Sequence, residues 1–239
     1  MEKYNTDKFS HGYINVYKNL FDNIRKEKLK ILEVGIGSKE MPSLNFLRDY
    51  FENSHIYGID IEESYINNEQ ERITTIKCSS LVKEDVDSKL SNLGHFDVII
   101  DDGCHRCDGQ QITFCNLFRL LNKRGIYVIE DLGFSFNSHF NGNFGKDIDY
   151  KKKKHIIGPP NKRIENPLPD FVYDYHRELK QFTTYKVFHN FNKTRKLDSI
   201  YIDKLISFEE KKNYINSIKT IKYWQGKNDT DSLMIINKF

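Results

Sequence analysis

The chain has 239 residues, 37 Lys and Arg against 34 Asp and Glu, and a formal net charge of +3. That length suits one large domain, or one domain with an appendage, and can bury a core without disulfide staples. A mean hydropathy of −0.65 and the lack of any apolar run of about 18 residues argue against a membrane-spanning helix, and +3 supplies no concentrated basic face for nucleic acid. The polar start from Met1 to Lys8 has neither the basic nor the apolar region of a secretory signal, and the four clustered cysteines suit a reducing compartment, so the expected location is the cytosol.

Residues 1–29 carry Tyr13, Val16, Tyr17, Leu20, Phe21 and Ile24 at helical spacing and read as an N-terminal helical cover. From 30 to 132 short apolar strands alternate with amphipathic stretches, which predicts a parallel α/β sheet. Lys30–Val34 is the first strand and Gly35-Ile36-Gly37 its tight turn; Pro42 opens a helix with Leu44, Phe46, Leu47, Tyr50 and Phe51 on its apolar face. Strands follow at His55–Asp60 and Ile73–Lys77. Two continuous apolar runs, Phe96–Ile100 and Ile126–Ile129, have the pattern of strands covered on both faces. Between them Ile112 to Leu121 predicts a helix closed by Gly125. Residues 133–170, rich in Asn, Gly, Lys and Pro, read as a long lid or acceptor loop, with Lys151–Lys154 a solvated stretch. The tail, 171–239, is expected to hold a helix and antiparallel strands: one strand at about 199–208, then a hairpin from about 218–224 and Leu233–Ile236.

In an open parallel sheet, ligands bind beyond the carboxyl ends of the strands, so those ends carry the candidate chemistry. Gly35 and Gly37 make a turn without side chains where a nucleoside cofactor can lie close, and Asp60 ends the second strand where a carboxylate can meet ribose hydroxyls. A dinucleotide turn would want a third small residue, but Glu40 stands there; this disfavours NAD and leaves the E-x-G-x-G turn of S-adenosylmethionine enzymes as the better match. The fourth and fifth strands end in Asp101-Asp102-Gly103-Cys104-His105 and Glu130-Asp131. Asp102, Glu130 and Asp131 can converge as hard oxygen ligands for Mg²⁺, since four carboxylates at one mouth repel each other without a cation. His105, three residues beyond Asp102, is then placed for general-base work. These acids could instead cap the following helices. Cys104 and Cys107 could form a zinc or redox element, although Cys78 and Cys115 do not complete a ligand set at zinc spacing.

These residues resemble the class I S-adenosylmethionine-dependent sugar O-methyltransferases of the macrocin and mycinamicin type. The likeness lies in Thr6-Asp7-Lys8 with His11 and Tyr13, in Leu32 to Gly37, and in Ser43-Leu44 through Asp49-Tyr50-Phe51. It continues in Tyr57 to Ile61, in Asp101 to His105 and in Tyr127 to Asp131, so it covers residues 5–132. It implies a single domain with a Rossmann-like, seven-stranded, mostly parallel sheet, in which 30–132 form the cofactor-binding core. Carried over by position, it assigns Asp102, Glu130 and Asp131 to Mg²⁺ and His105 to the base. Glu33, Gly35, Gly37, Asp60 and Asp101 would line S-adenosyl-L-methionine, with Thr6 closing over it and Ser79 near the adenine. The chain departs from the family at Cys104, where Ser is usual, and at Cys78-Ser79-Ser80, where an Asp or Gln often meets the adenine. The acceptor implied is a sugar, nucleotide-sugar or glycan, with a homo-oligomer compatible. Two other classes are weighed beside it: a methyltransferase for RNA or another small molecule, which would gather the lysines and aromatics on one face, and a binding module without turnover.

Overall fold

The computed structural model describes residues 4–66, 70–132, 184–226 and 231–239, with the backbone of three short strands between 148 and 167. Helix α1 spans Tyr13–Phe21; β1 (Lys30–Val34), α2 (Pro42–Tyr50), β2 (His55–Asp60), β3 (Ile73–Lys77), α3 (Lys83–Leu90), β4 (Phe96–Asp101), α4 (Cys107–Leu117) and β5 (Leu121–Ile129) follow. The short strands β6 (Ile148–Asp149), β7 (Lys154–Ile157) and β8 (Ile164–Pro167) pair in a separate antiparallel sheet. Four helices, α5 (Thr184–His189), α6 (Phe191–Thr194), α7 (Ile200–Leu205) and α8 (Phe208–Ser217), precede the hairpin of β9 (Ile218–Gln225) and β10 (Ser232–Lys238). The main sheet has seven strands in the order β3-β2-β1-β4-β5-β10-β9, parallel except for β10 and β9. The chain order reverses between β1 and β4, which opens the crevice used by ligands of such sheets.

Both faces of the sheet are covered, as the continuous apolar strands require. Leu32, Ile99, Tyr127 and Ile129 pack with Phe114, Phe118, Phe188 and Phe191 on one side. Their neighbours Ile31, Val98, Ile100 and Val128 pack with Tyr13, Tyr17, Phe21, Leu44 and Leu47 of α1 and α2 on the other. This period-2 alternation decides which strand-end acids face the N-terminal segment.

Three expectations change. The N-terminal helix is confined to Tyr13–Phe21. The helix expected through Leu121 ends earlier: β5 begins at Leu121 and Gly125 lies inside it, with Arg124 at φ 62 bending the strand. The run expected as a strand at about 199–208 is helix α7, because the Ser199 hydroxyl accepts from the Tyr201 and Ile202 N–H groups and caps its start, while Tyr201 and Ile202 bury themselves. Lys151–Lys153 and nearly all of the lid segment lie outside the described residues, apart from the backbone of β6, β7 and β8. No helix among the described residues is long and apolar enough to cross a membrane.

Candidate functional site

The site lies at the carboxyl edge of β1, β4 and β5. The ladder runs past the strand ends: Asp102 N–H donates to Val34 O at 3.0 Å and Glu130 N–H to Asp101 O at 2.9 Å, so the acids on both following turns are fixed by backbone. Gly35 sits at φ 93, and a Cβ there would come 2.3 Å from the Asp102 carbonyl oxygen. Its glycine is therefore demanded by the neighbouring strand end as much as by any ligand. Gly37, at φ 77, is different: a Cβ there meets nothing within 4 Å, so the turn opens into free space.

Asp60 organises this turn. Its Oδ2 accepts from the N–H groups of Ile36 at 2.8 Å and Gly37 at 3.4 Å, and its Oδ1 from Glu62 N–H at 2.9 Å. Glu33 is buried; its Oε1 accepts from Ser43 Oγ at 2.5 Å, while Oε2 has no partner. Asp101 is also buried with Oδ2 unpartnered, and burial pushes its carboxyl well above the usual range. Thr6 Oγ1 accepts from Lys8 N–H at 3.5 Å and shapes the segment ahead of Lys8. Ser79 N–H is held by Asp85 Oδ2 at 2.7 Å. Asp60 thus holds a turn that opens at Gly37, and Glu33 and Asp101 at the ends of the flanking strands each keep an orphaned buried oxygen, features that fit a polar nucleoside-type ligand.

The acids form two groups that share Asp102. Donor atoms of Asp102, His105 and Asp131 lie within 4.8 Å of one another, all three half-buried. His105 Nε2 is 3.7 Å from Asp131 Oδ2, and Tyr13 OH donates to Asp131 Oδ1 at 2.6 Å. The two carboxylates can hold a divalent cation with water completing the shell, and the imidazole stands beside them. The other group is Glu33, Asp102 and Glu130, and Lys8 is its counter-charge. Lys8 Nζ is 2.6 Å from Asp102 Oδ2, 2.7 Å from Glu130 Oε2 and 3.2 Å from Glu33 Oε1. Tyr17 OH donates to the other Glu130 oxygen. Burial raises the Glu130 carboxyl, with Asp102 adding to the rise and Lys8 opposing it. Of the three expected ligands, Asp102 and Asp131 therefore meet with His105, whereas Glu130 is turned to Lys8 and Tyr17.

Sequence reasoning passed over Lys8, Tyr13 and Tyr17 as functional residues. The tyrosines are spaced i, i+4 on the apolar face of α1, and their rings do pack in the core; only their hydroxyls reach the acids. Lys8 stands in a polar segment with no periodicity to mark it, and the Thr6-Asp7-Lys8 likeness gave it no role. His11 joins the same edge, with Nδ1 3.8 Å from Asp131 Oδ1 and Nε2 3.8 Å from Asp231 Oδ1. The zinc or redox alternative does not suit the cysteines: all four are buried outside any disulfide, and burial pushes the Cys104 thiol up to about 12.

A family profile described as a methyltransferase domain matches residues 25–192. The demethylmacrocin O-methyltransferase of Streptomyces fradiae is 33% identical over 137 residues, covering 55% of this chain and 34% of the relative. The mycinamicin VI 2''-O-methyltransferase of Micromonospora griseorubida is 32% identical over 148 residues, covering 59% of this chain and 37% of the relative. The chain thus matches little more than a third of the length of these curated relatives. Among solved structures, the MycE methyltransferase of mycinamycin biosynthesis, in complex with Mg, SAH and mycinamycin VI, superposes with a TM-score of 0.66 over 99% of this chain and 52% of that one, at 20% identity. That likeness establishes the fold.

Proposed function

From the premise that this chain belongs to the methyltransferase-domain family, we propose that it is a Mg²⁺-dependent S-adenosylmethionine O-methyltransferase acting on a sugar hydroxyl, in the assembly of a natural-product glycoside or a surface glycan. The observation that carries the reading is the half-open Asp102, His105 and Asp131 group, set beside a glycine turn that opens into free space at Gly37. The named relatives are O-methyltransferases of demethylmacrocin and mycinamicin VI, and MycE was solved with Mg and SAH; both facts support the cofactor and the acceptor class.

S-adenosylmethionine, when bound, supplies an electrophilic methyl group, and Mg²⁺ a Lewis acid that lowers the pKa of a coordinated hydroxyl. Glu33, the Gly35 to Gly37 turn, Asp60 and Asp101 would hold the cofactor, with Thr6 and Ser79 at its margins. Asp102 and Asp131 would hold the cation, with Glu130 behind them. His105, half-exposed at the mouth, is the group that takes the acceptor proton. The chain's task is then orientation: holding the hydroxyl in line lowers the barrier by on the order of several kcal/mol.

Calorimetry with S-adenosylhomocysteine and with NAD tests the cofactor: binding of the first alone is expected, and tight NAD binding without it would overturn the reading. Turnover of demethylated glycosides should stop in EDTA and return with Mg²⁺. Full activity in chelator would leave the acids without a metal role.

A further inference from the structure

Lys8 is wholly buried, with its ammonium at the meeting point of three strand ends. A lysine ammonium has three protons and no acceptor, and here it faces one oxygen each from Glu33, Asp102 and Glu130. Burying such a charge costs several kcal/mol per ion, and an apolar side chain of like volume often stabilises as well or better. The ammonium therefore calls for a reason other than stability.

Its partners suggest one. Asp102 gives Oδ2 to Lys8, Glu130 gives Oε2 to Lys8 and Oε1 to Tyr17, and Asp131 gives Oδ1 to Tyr13. Every acid assigned to the cation is thus gripped by a donor from residues 8–17. Asp102 Oδ1 and Asp131 Oδ2 take no part in these bonds, and Asp131 Oδ2 is the oxygen near His105. Resting on the proposed Mg²⁺ reading, we infer that Lys8 is a positioning residue for the cation site. It clamps Asp102 and Glu130 by one oxygen each, so that the N-terminal segment and the ligand carboxylates assemble as one unit. Glu33 extends the clamp to the cofactor side. Without the ammonium, two buried carboxylates and the half-buried Asp102, with oxygens within 4.8 Å of one another, lose the positive charge that offsets their repulsion, and the segment that carries Tyr13 and Tyr17 loses an anchor.

Simple Coulomb reasoning predicts the opposite sign, since deleting a positive charge should draw a cation in more tightly. The experiment decides between them. Mg²⁺ is titrated by calorimetry into the wild-type chain, Lys8→Met and Tyr17→Phe, with neither cofactor nor acceptor present, and folding is checked by circular dichroism. Lys8→Met is expected to bind Mg²⁺ about 10- to 100-fold more weakly, the usual loss when an outer partner of a metal ligand is removed. Tyr17→Phe should lose less, and Lys8→Arg should recover part of the affinity. Should Lys8→Met not fold, Tyr17→Phe and Lys8→Arg carry the test. Affinity equal to or above the wild type in the folded variants overturns the inference while leaving the metal reading intact. A wild-type chain that does not bind Mg²⁺ overturns the metal reading and the inference with it.

Discussion

Two acid groups share Asp102 but handle their charge in opposite ways. Glu33, Asp102 and Glu130 surround a buried ammonium that belongs to the chain itself, whereas His105 and Asp131 lie half-buried at the rim, joined to that ammonium through the shared Asp102. Depth decides the difference. A carboxylate cut off from water must be compensated within the fold or else protonated, while one at the rim can wait for a cation from solution. The buried group therefore fixes the shape of the strand ends, and the rim group is left to exchangeable chemistry.

The largest effect should come from the position that joins both groups. Gly35→Ala would bring a Cβ to 2.3 Å from the Asp102 carbonyl at φ 93, displacing the one residue the groups share. A loss above about 4 kcal/mol, in the exceptional range for one substitution, is expected in urea unfolding. A midpoint close to the wild type would mean that the strand ends give way easily. Next, Glu130→Ala leaves Lys8 short of a buried partner and should cost about 3–5 kcal/mol. Asp131→Asn, at the rim, should stay within about 1 kcal/mol, since the Tyr13 bond and the longer contacts with His11 and His105 are weakened in a half-exposed setting, yet it should abolish most Mg²⁺ binding. Equal stability losses at Glu130 and Asp131 would erase the contrast.

His105→Gln sharpens the same division on the side of rate. Turnover is expected to fall by about a hundredfold or more, with little change in Tm, because the ring is half-exposed. A stable, metal-replete variant with near wild-type kcat would remove His105 from the mechanism. The smallest effect is a control far from either group. Ser207 and Glu210 form a capping box at α8, and Ser207→Ala should cost about 1 kcal/mol. Hydrogen bonds from Ser207 hold the Glu210 carboxyl below its ordinary value. Its contribution is therefore complete above that ordinary value and disappears as pH falls through the lower folded one. The gap in Tm between wild type and Ser207→Ala should narrow at low pH without closing, because the Ser207 hydroxyl still accepts from Glu210 N–H.

Much of the sheet was legible because its signals are local. β1 to β5 lie where β-branched and apolar runs meet turn residues, and Pro42 opens α2 as expected. The hairpin of β9 and β10 was readable for the same reason. The error at 199–208 shows the limit: Ile200, Tyr201, Ile202 and Leu205 suit a strand or one buried helix face equally well, and Ser199 as a cap with α4 as a packing surface decides for the helix. At the site, the strand-end acids and the glycine turn could be named from chain order, since an α/β sheet presents its ligand-binding residues at one edge.

The sequence by itself determined the layered sheet, the edge where chemistry gathers and the residue types found there, because hydrophobic period and turn chemistry act over a few residues. Only the tertiary structure decided how those acids divide. Strand parity turns Glu33, Asp102 and Glu130 toward the face covered by α1, and Lys8, separated from Asp102 by 94 positions and from Glu130 by 122, arrives there only when the N-terminal segment docks. A lysine in a polar stretch and a solvated lysine read alike in sequence. Which of them is the counter-ion of a buried site depends on long-range geometry, and that is set by the packing of α1 against the finished sheet.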